Sequence, residues 1–288
     1  MVQNKKSTYT SHYSNARRMH KVDDFMDVET QRQAKRLSRQ QKRLEKQTGL
    51  MNVVSINDTI AKQRVVRYQD IKQLEPLTDT QADFFDAWES DAATGYVLYG
   101  SAGSGKTTLA AYNAILDVLN PEIPEIHKLV IVRSSVQARD QGHLPGDANE
   151  KMAMFEMPYH GIFSKLTGKK DSYEKLKDMG KIEFISTSFV RGDTFDNSII
   201  IVDEIQNMSW EELNSVATRV GKNSKIIFCG DGKQDDLHYK KNDVSGFKQF
   251  IEVTRCIPEF RNFRFTSEDI IRSGFVKAWI LACEKLGV

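Results

Sequence analysis

The chain has 288 residues, of which 40% are hydrophobic and 28% charged, with a formal net charge of +2. This length and composition suit an α/β core with a smaller appendage, and no stretch approaches the roughly 18 apolar residues of a membrane span. We expect a cytoplasmic protein, because the polar start does not resemble a signal peptide and Cys229, Cys256 and Cys283 lack metal-binding or CxxC spacing.

Positive charge is concentrated in the first fifty residues, which carry 12 Lys and Arg against 5 Asp and Glu. This segment favours a helix between residues 32 and 46 but has almost no apolar face to bury. We predict a basic helical or partly disordered arm over residues 1–50. It could be a solvated arm, a nucleic-acid-binding arm, or a helix that docks on a neighbouring subunit. In residues 51–76, short β-branched runs at 51–56 and 63–68 predict strands packed on the edge of the core.

Residues 77–288 are predicted to form the main domain, and they contain a phosphate-binding loop. Residues 100–107 fit GxxxxGK[ST] at every fixed position, with an apolar strand before them and a helix-forming run at 108–118 after them. In this order the backbone N–H groups surround phosphates, Lys106 reaches the outer phosphates, and the Thr107 hydroxyl binds Mg²⁺. A glycine-rich turn without a ligand is the alternative. The predicted nucleotide contacts are Gly100, Ser101, Ala102, Gly103, Ser104, Gly105, Lys106, Thr107 and Thr108.

A second acidic motif follows an unbroken β-branched run at 198–202, which predicts a buried parallel strand. Carboxylates at the C-terminal edge of such a strand lie in the crevice where open α/β sheets bind ligands. We therefore expect Asp203 to hold Mg²⁺ with Thr107, and Glu204 to orient a hydrolytic water. Alternatively, Asp203 caps the helix that starts near Ser209, and Glu204 is an ordinary solvated acid.

A third predicted strand, at 225–229, leads into a Gly- and Asp-rich segment that contains Gln234. If this strand lies beside the one that ends at Asp203, the Gln234 amide reaches the terminal phosphate and senses its presence. A surface turn with Gln234 facing water is the alternative.

Four short motifs follow one another along the chain: HLPGD at 143–147, RGDTF at 191–195, DEIQN at 203–207 and GDGKQ at 230–234. Together they resemble the PhoH-like ATPases, relatives of the first RecA-like domain of superfamily 1 helicases, over roughly residues 77–282. The resemblance implies an α/β P-loop NTPase fold with a mostly parallel RecA-like sheet. It also implies an ATPase associated with RNA or single-stranded nucleic acid, assembled as a ring-like homo-oligomer such as a hexamer.

The resemblance suggests roles for residues outside the phosphate loop. Residues 77–81 look like a helicase Q-type motif, in which Gln81 would contact adenine, although Thr78 and Gln81 also fit a helix-capping box. The segment after the strand at 129–132 corresponds to the nucleic-acid face of the family. Its candidate contacts are Arg133, Ser134, Arg139 and His143, and a solvated loop is the alternative. His143 stands where the family usually has Phe, which puts the substrate in doubt.

The end of the chain implies a shared site, because only about fifty residues follow Gln234, too few for a second RecA-like domain. An arginine from a neighbouring subunit is therefore expected to stabilise charge on the transferring phosphoryl group. The family pattern favours Arg272, with Arg255 and Arg264 as alternatives. Arg272 could instead belong to the polar face of an amphipathic terminal helix.

The sequence thus predicts magnesium-dependent ATP hydrolysis coupled to RNA or single-stranded DNA. Two other functions stay open. One is a slow, nucleotide-dependent binding switch without motor activity. The other is a small-molecule kinase, which would need an acceptor pocket and an arginine-bearing lid.

Overall fold

The structure is a computed structural model that describes residues 65–91, 93–134, 148–190, 192, 194–231 and 246–286. The chain divides into two units, Met1–Arg64 and Val65–Val288, and all described residues belong to the second. The predicted basic arm lies outside the described residues, as do Arg139, His143 and Gln234.

The described residues form one six-stranded sheet in which all paired strands are parallel. Its order is β3-β2-β4-β5-β1-β6. The strands are β1 (Gly95–Gly100), β2 (Lys128–Arg133), β3 (Ile182–Ser186), β4 (Ser198–Asp203), β5 (Lys225–Gly230) and β6 (Phe260–Phe265).

Helices connect the strands and cover the sheet. They are α1 (Asp79–Glu89), α2 (Lys106–Leu119), α3 (Ala148–Thr167), α4 (Ser172–Asp178), α5 (Trp210–Ala217), α6 (Phe247–Arg255) and α7 (Gly274–Leu286). Every residue of β1 and β4 is buried, as expected for central strands of a parallel sheet covered on both faces. These observations confirm the predicted α/β P-loop fold with a RecA-like sheet.

The strand order places the two predicted motifs at one edge of the sheet. β5 lies between β1 and β4, and its register pairs Tyr99 with Gly230 and Asp203 with Cys229. The phosphate loop after β1 and the acidic pair at the end of β4 therefore open into the same crevice. This is where ligands bind in open α/β sheets.

Two elements differ from the sequence predictions. The strand predicted at 63–68 does not form over its described residues, and Tyr68–Asp70 is a 3-10 helix instead. Val66 and Ile71 on either side of it are buried, so this segment belongs to the core unit through packing rather than strand pairing. Strand β6 was not predicted. Its sequence, FRNFRF, combines three Phe with three polar residues without strict alternation, and the strand lies at the edge of the sheet.

No helix in the described part of the chain combines the length and the apolar character needed to cross a membrane.

Candidate nucleotide site

The phosphate loop connects β1 to α2 through backbone conformations that favour glycine. Gly100, Gly103 and Gly105 have φ values of +122°, +75° and +85°. A Cβ at Gly100 would collide with the carbonyl oxygen of Phe265 in β6, and the Ser101 N–H donates to that oxygen at 3.0 Å. The neighbouring strand thus shapes the loop: Gly100 requires glycine for both conformation and space, and Gly103 and Gly105 require it for conformation.

Lys106 lies inside this loop. It is 9% exposed, and its ammonium group donates to the carbonyl oxygens of Gly100 and Ser101 at 2.9 and 2.8 Å. Burial lowers the Lys106 pKa, whereas the nearby carboxylate of Asp231 and the other acidic groups of the crevice oppose this effect. The ammonium group is therefore held at the start of α2, where phosphate oxygens would be bound.

The side chains of Asp203 and Thr107 are in contact beside the phosphate loop. The Thr107 hydroxyl donates to Asp203 Oδ1 at 2.9 Å, although the residues come from different elements. Burial, followed by the charge of Glu204, raises the pKa of Asp203. Hydroxyl and carboxylate oxygens beside a phosphate loop fit Mg²⁺, which usually takes its remaining ligands from water and nucleotide phosphates. The described residues contain no cluster of three or more His, Cys, Asp or Glu side chains that could hold a metal ion.

Glu204 turns the chain sharply at the end of β4, with φ +58° and ψ +43°. The Gln206 side chain donates to Glu204 Oε2 at 2.6 Å and accepts from the Asp231 N–H at 3.0 Å. A guanidinium nitrogen of Arg133 lies 3.8 Å from Glu204 Oε1. Gln206 therefore links the candidate base to the end of β5, and the left-handed turn is backbone strain of the kind that concentrates at functional sites.

Arg272 also lies at the phosphate loop of its own chain. The Ile271 N–H donates to the Gly103 carbonyl at 3.2 Å, and a Cβ at Gly103 would lie 2.8 Å from Arg272 Cγ. The described residues thus place Arg272 beside the loop of its own chain, and its action on the site of a neighbouring subunit stays a prediction. Of the alternatives, Arg255 donates to the Tyr99 hydroxyl at 2.9 Å, and neither it nor Arg264 lines the crevice.

These groups surround a cavity of about 470 Å³, which is within the size range of small-molecule sites. Lys106, Arg133, Lys165 and Arg272 contribute positive charge to its lining, and Asp203, Glu204 and Asp231 contribute negative charge. The other lining residues are Ala102, Gly103, Gly105, Thr107, Thr108, Pro158, Gly161, Ile162, Cys229 and Gly230. This mixture suits a polyanionic ligand that carries a metal ion.

Comparison with protein families gives an independent assignment. The family model described as PhoH-like protein matches residues 73–284. The chain belongs to the PhoH family. Its P-loop, acidic pair and sheet order are those of a nucleotide-binding P-loop ATPase domain.

Two curated PhoH relatives illustrate the match. Protein PhoH of Escherichia coli K12 is 29% identical over 251 residues, which cover 85% of this chain and 69% of that protein. A PhoH-like protein of Synechocystis is 34% identical over 189 residues, covering 65% of this chain and 55% of that protein.

Solved structures resemble this PhoH family member more distantly. The large terminase of a thermophilic bacteriophage aligns with a TM-score of 0.41 and 13% identity over 71% of this chain and 50% of the terminase. The Hef helicase domain of Pyrococcus furiosus aligns with a TM-score of 0.38 and 12% identity over 66% of this chain and 39% of that one.

Gln81 of this PhoH domain contacts the phosphate loop. Its amide nitrogen donates to the Ser104 carbonyl at 3.0 Å, and its amide oxygen accepts from the Leu77 N–H at 2.8 Å. Thr78 caps α1, with its hydroxyl accepting from the Gln81 N–H. In the predicted capping box the Gln81 side chain would accept from the Thr78 N–H, but in the structure it accepts from the N–H of the preceding residue, Leu77. Gln81 is buried, at 2% exposure, and the adenine contact remains a prediction.

The two described candidates for nucleic-acid contact have other surroundings. Arg133 lines the nucleotide cavity and lies over the ring of Phe155, 5.5 Å from its centroid. Ser134 is 5% exposed, and its hydroxyl donates to Glu212 at 3.1 Å. Both lie at the end of β2, and their contact with nucleic acid stays a prediction.

Sequence reasoning missed three residues that the fold brings to this site. Tyr159 contacts Asp203, Gln206 contacts Glu204, and Lys165 lines the cavity. A signal existed only for Gln206, which lies within the DEIQN motif. Tyr159 and Lys165 are on α3, far from the site in sequence, and no local pattern distinguishes them from other helix residues.

Proposed function

We propose that this domain hydrolyses ATP in a magnesium-dependent reaction, with Thr107 and Asp203 holding the metal and Glu204 orienting the attacking water. The observation that carries the proposal is the 2.9 Å contact between Thr107 and Asp203 beneath the phosphate loop. Bound magnesium would neutralise charge on the outer phosphates.

The chain's own residues divide the remaining work. Lys106 and the loop N–H groups bind the phosphates, and Arg272, which lines the same cavity, supplies a second positive charge. Gln206 keeps the Glu204 carboxylate oriented. Gln234 is proposed to sense the γ-phosphate, since the end of β5 that leads to it is bonded to Gln206.

We further propose that hydrolysis is coupled to RNA or single-stranded DNA in a homo-oligomer, with a hexamer favoured. Support comes from the PhoH resemblance and from the excess of Lys and Arg in residues 1–50. Arg133, Ser134, Arg139 and His143 are the proposed polymer contacts.

The test is phosphate release by the full chain as a function of its concentration, with and without single-stranded RNA or DNA. Glu204→Gln is compared with Glu211→Gln, which removes a carboxylate from the exposed face of α5. Loss of a general base typically costs about 10²- to 10⁴-fold in rate, so Glu204→Gln should lose hydrolysis while retaining ATP binding. Glu211→Gln should match the wild type.

The possible results separate the candidate functions. Stimulation by one polymer supports coupling and identifies the substrate class. A slow wild-type rate that neither polymer nor concentration changes would leave the binding switch as the better account. ADP formation that depends on an added small-molecule acceptor, with little free phosphate released, would point to a kinase.

A further inference from the structure

The Asp203 carboxylate is held on both of its oxygens. Oδ1 accepts from the Thr107 hydroxyl at 2.9 Å, and Oδ2 accepts from the Tyr159 hydroxyl at 2.7 Å. Asp203 is 6% exposed, so water has little access to replace either partner. A carboxylate bonded at one oxygen can still rotate about its Cβ–Cγ bond, whereas bonds to both oxygens from different elements fix its plane.

Tyr159 is itself firmly placed. It is completely buried on α3, and its ring packs against Phe184 of β3 with centroids 5.7 Å apart. Burial, followed by the charge of Asp203, raises the pKa of Tyr159 well above its ordinary value, so the phenol keeps its proton and acts as the donor. Its neighbours Pro158 and Gly161 line the nucleotide cavity. The hydroxyl therefore reaches Asp203 from the α3 wall of the site, opposite the phosphate loop.

We propose that Tyr159 is a positioning residue for the metal site, which it supports by fixing the orientation of Asp203. The proposal rests on the proposed role of Thr107 and Asp203 in holding Mg²⁺. With Oδ2 committed to Tyr159, Oδ1 stays directed towards Thr107 and the phosphate loop. Groups that bond a metal ligand from the outer shell typically change metal affinity or activity by about 10- to 100-fold when they are removed.

The chain offers a closely matched control. Tyr173 of α4 is also completely buried, and its hydroxyl donates to the carboxylate of Glu156 at 3.0 Å. Neither Tyr173 nor Glu156 lines the nucleotide cavity. Tyr159→Phe and Tyr173→Phe each remove one buried hydroxyl that bonds a carboxylate, so general losses of stability are comparable between them.

The experiment measures binding of a fluorescent ATP analogue to the full chain during a Mg²⁺ titration and, separately, in EDTA. Tyr159→Phe should raise the half-saturating Mg²⁺ concentration by about 10-fold, the lower end of the outer-shell range, and leave affinity in EDTA near the wild-type value. Tyr173→Phe should titrate like the wild type. The proposal would be overturned if the Mg²⁺ titrations of Tyr159→Phe and Tyr173→Phe coincided. It would also be overturned if Tyr159→Phe lost as much nucleotide affinity in EDTA as in Mg²⁺.

A double-mutant cycle that combines Tyr159→Phe with Asp203→Asn provides the second test. The neutral amide of the Asp203→Asn variant also avoids the cost of leaving a buried carboxylate without the hydroxyl donor of Tyr159. If Tyr159 acts through Asp203, adding Tyr159→Phe to Asp203→Asn should not shift the Mg²⁺ titration further. The same shift in both backgrounds would contradict the mechanism. If the wild type binds Mg²⁺ and nucleotide but releases no phosphate, the proposed hydrolysis is wrong. The role of Tyr159 is still tested, because the titrations measure binding and not hydrolysis.

Discussion

Gln81 belongs to a predicted nucleotide-contact motif, but in the structure its side chain bonds the protein backbone. The helicase resemblance predicts that its amide contacts adenine. In the structure, one end of the amide bonds the Ser104 carbonyl in the phosphate loop, and the other bonds the Leu77 N–H. The contact to Ser104 spans 23 residues and ties α1 to the loop. Gln81 therefore stabilises the loop whichever base is bound.

Gln81→Met should weaken the binding of ATP and GTP by the same factor. Methionine keeps the approximate length of the side chain but cannot bond Ser104 or Leu77, so the loop loses support that does not depend on the base. Loss of about 1.4 kcal/mol corresponds to roughly tenfold in affinity. Dissociation constants for both nucleotides provide the measurement. A larger loss for ATP than for GTP would support the predicted contact of Gln81 with adenine.

At the scale of elements, β6 and the segment after it shape the phosphate loop. Gly100 pairs with Phe265 in the register of β1 and β6, and the Phe265 carbonyl accepts from the Ser101 N–H. The Ile271 N–H then bonds the Gly103 carbonyl. The edge strand thus does more than complete the sheet, because its end fixes the loop that begins where β1 stops.

Gly100→Ala should displace β6 from the loop and destabilise the domain. The new Cβ would meet the Phe265 carbonyl, and φ +122° is unfavourable for alanine. Backbone strain and overpacking together predict a loss of about 3 kcal/mol or more. Chemical denaturation measures this loss, and nucleotide binding should fall with it.

Gly161→Ala is the control, because a Cβ there meets nothing within 4 Å and the residue lies inside α3. Alanine in a helix interior should raise stability by about 0.5–1 kcal/mol relative to glycine. If both alanine variants were destabilised alike, the close approach of β6 would not be the cause.

Sequence alone predicted the parts of the fold and site that depend on local pattern. The central strands are continuous β-branched or apolar runs, and the phosphate loop is a contiguous motif, so neighbouring residues carry the information. The contact of Tyr159 with Asp203 crosses 44 residues, and that of Arg272 with the loop depends on how β6 pairs. Such contacts are decided by tertiary packing, which no local pattern encodes.

At the scale of the whole molecule, the position of Arg272 changes the argument for a shared site. The sequence-based expectation is an arginine supplied by a neighbouring subunit. Arg272 instead lines the cavity formed by its own loop, so the described residues of one chain already hold Lys106 and an arginine together. The trans arginine stays a prediction, and the position of Arg272 in the described residues adds action within one chain as a second arrangement to test.

Mixing two inactive variants distinguishes the arrangements. Lys106→Ala keeps Arg272 but cannot bind phosphates properly, and Arg272→Ala keeps the loop but lacks the arginine. If Arg272 acts within its own chain, co-expressing the two variants should give no more phosphate release than either alone. If it acts across an interface, random assembly in a cyclic oligomer would restore on the order of a quarter of the sites.

Light scattering on the co-expressed sample shows whether mixed oligomers were available, so that an absence of recovery can be interpreted. A monomeric, active wild type would establish the same conclusion directly, since no second subunit would be present to donate an arginine. Recovery of activity in mixed oligomers would instead mean that Arg272 leaves its own loop to serve a neighbour's, and the cavity of one chain would then be incomplete for catalysis. The bond from the Ile271 N–H to the Gly103 carbonyl joins backbone groups, so such an exchange would require only rotation of the Arg272 side chain and not loss of that bond.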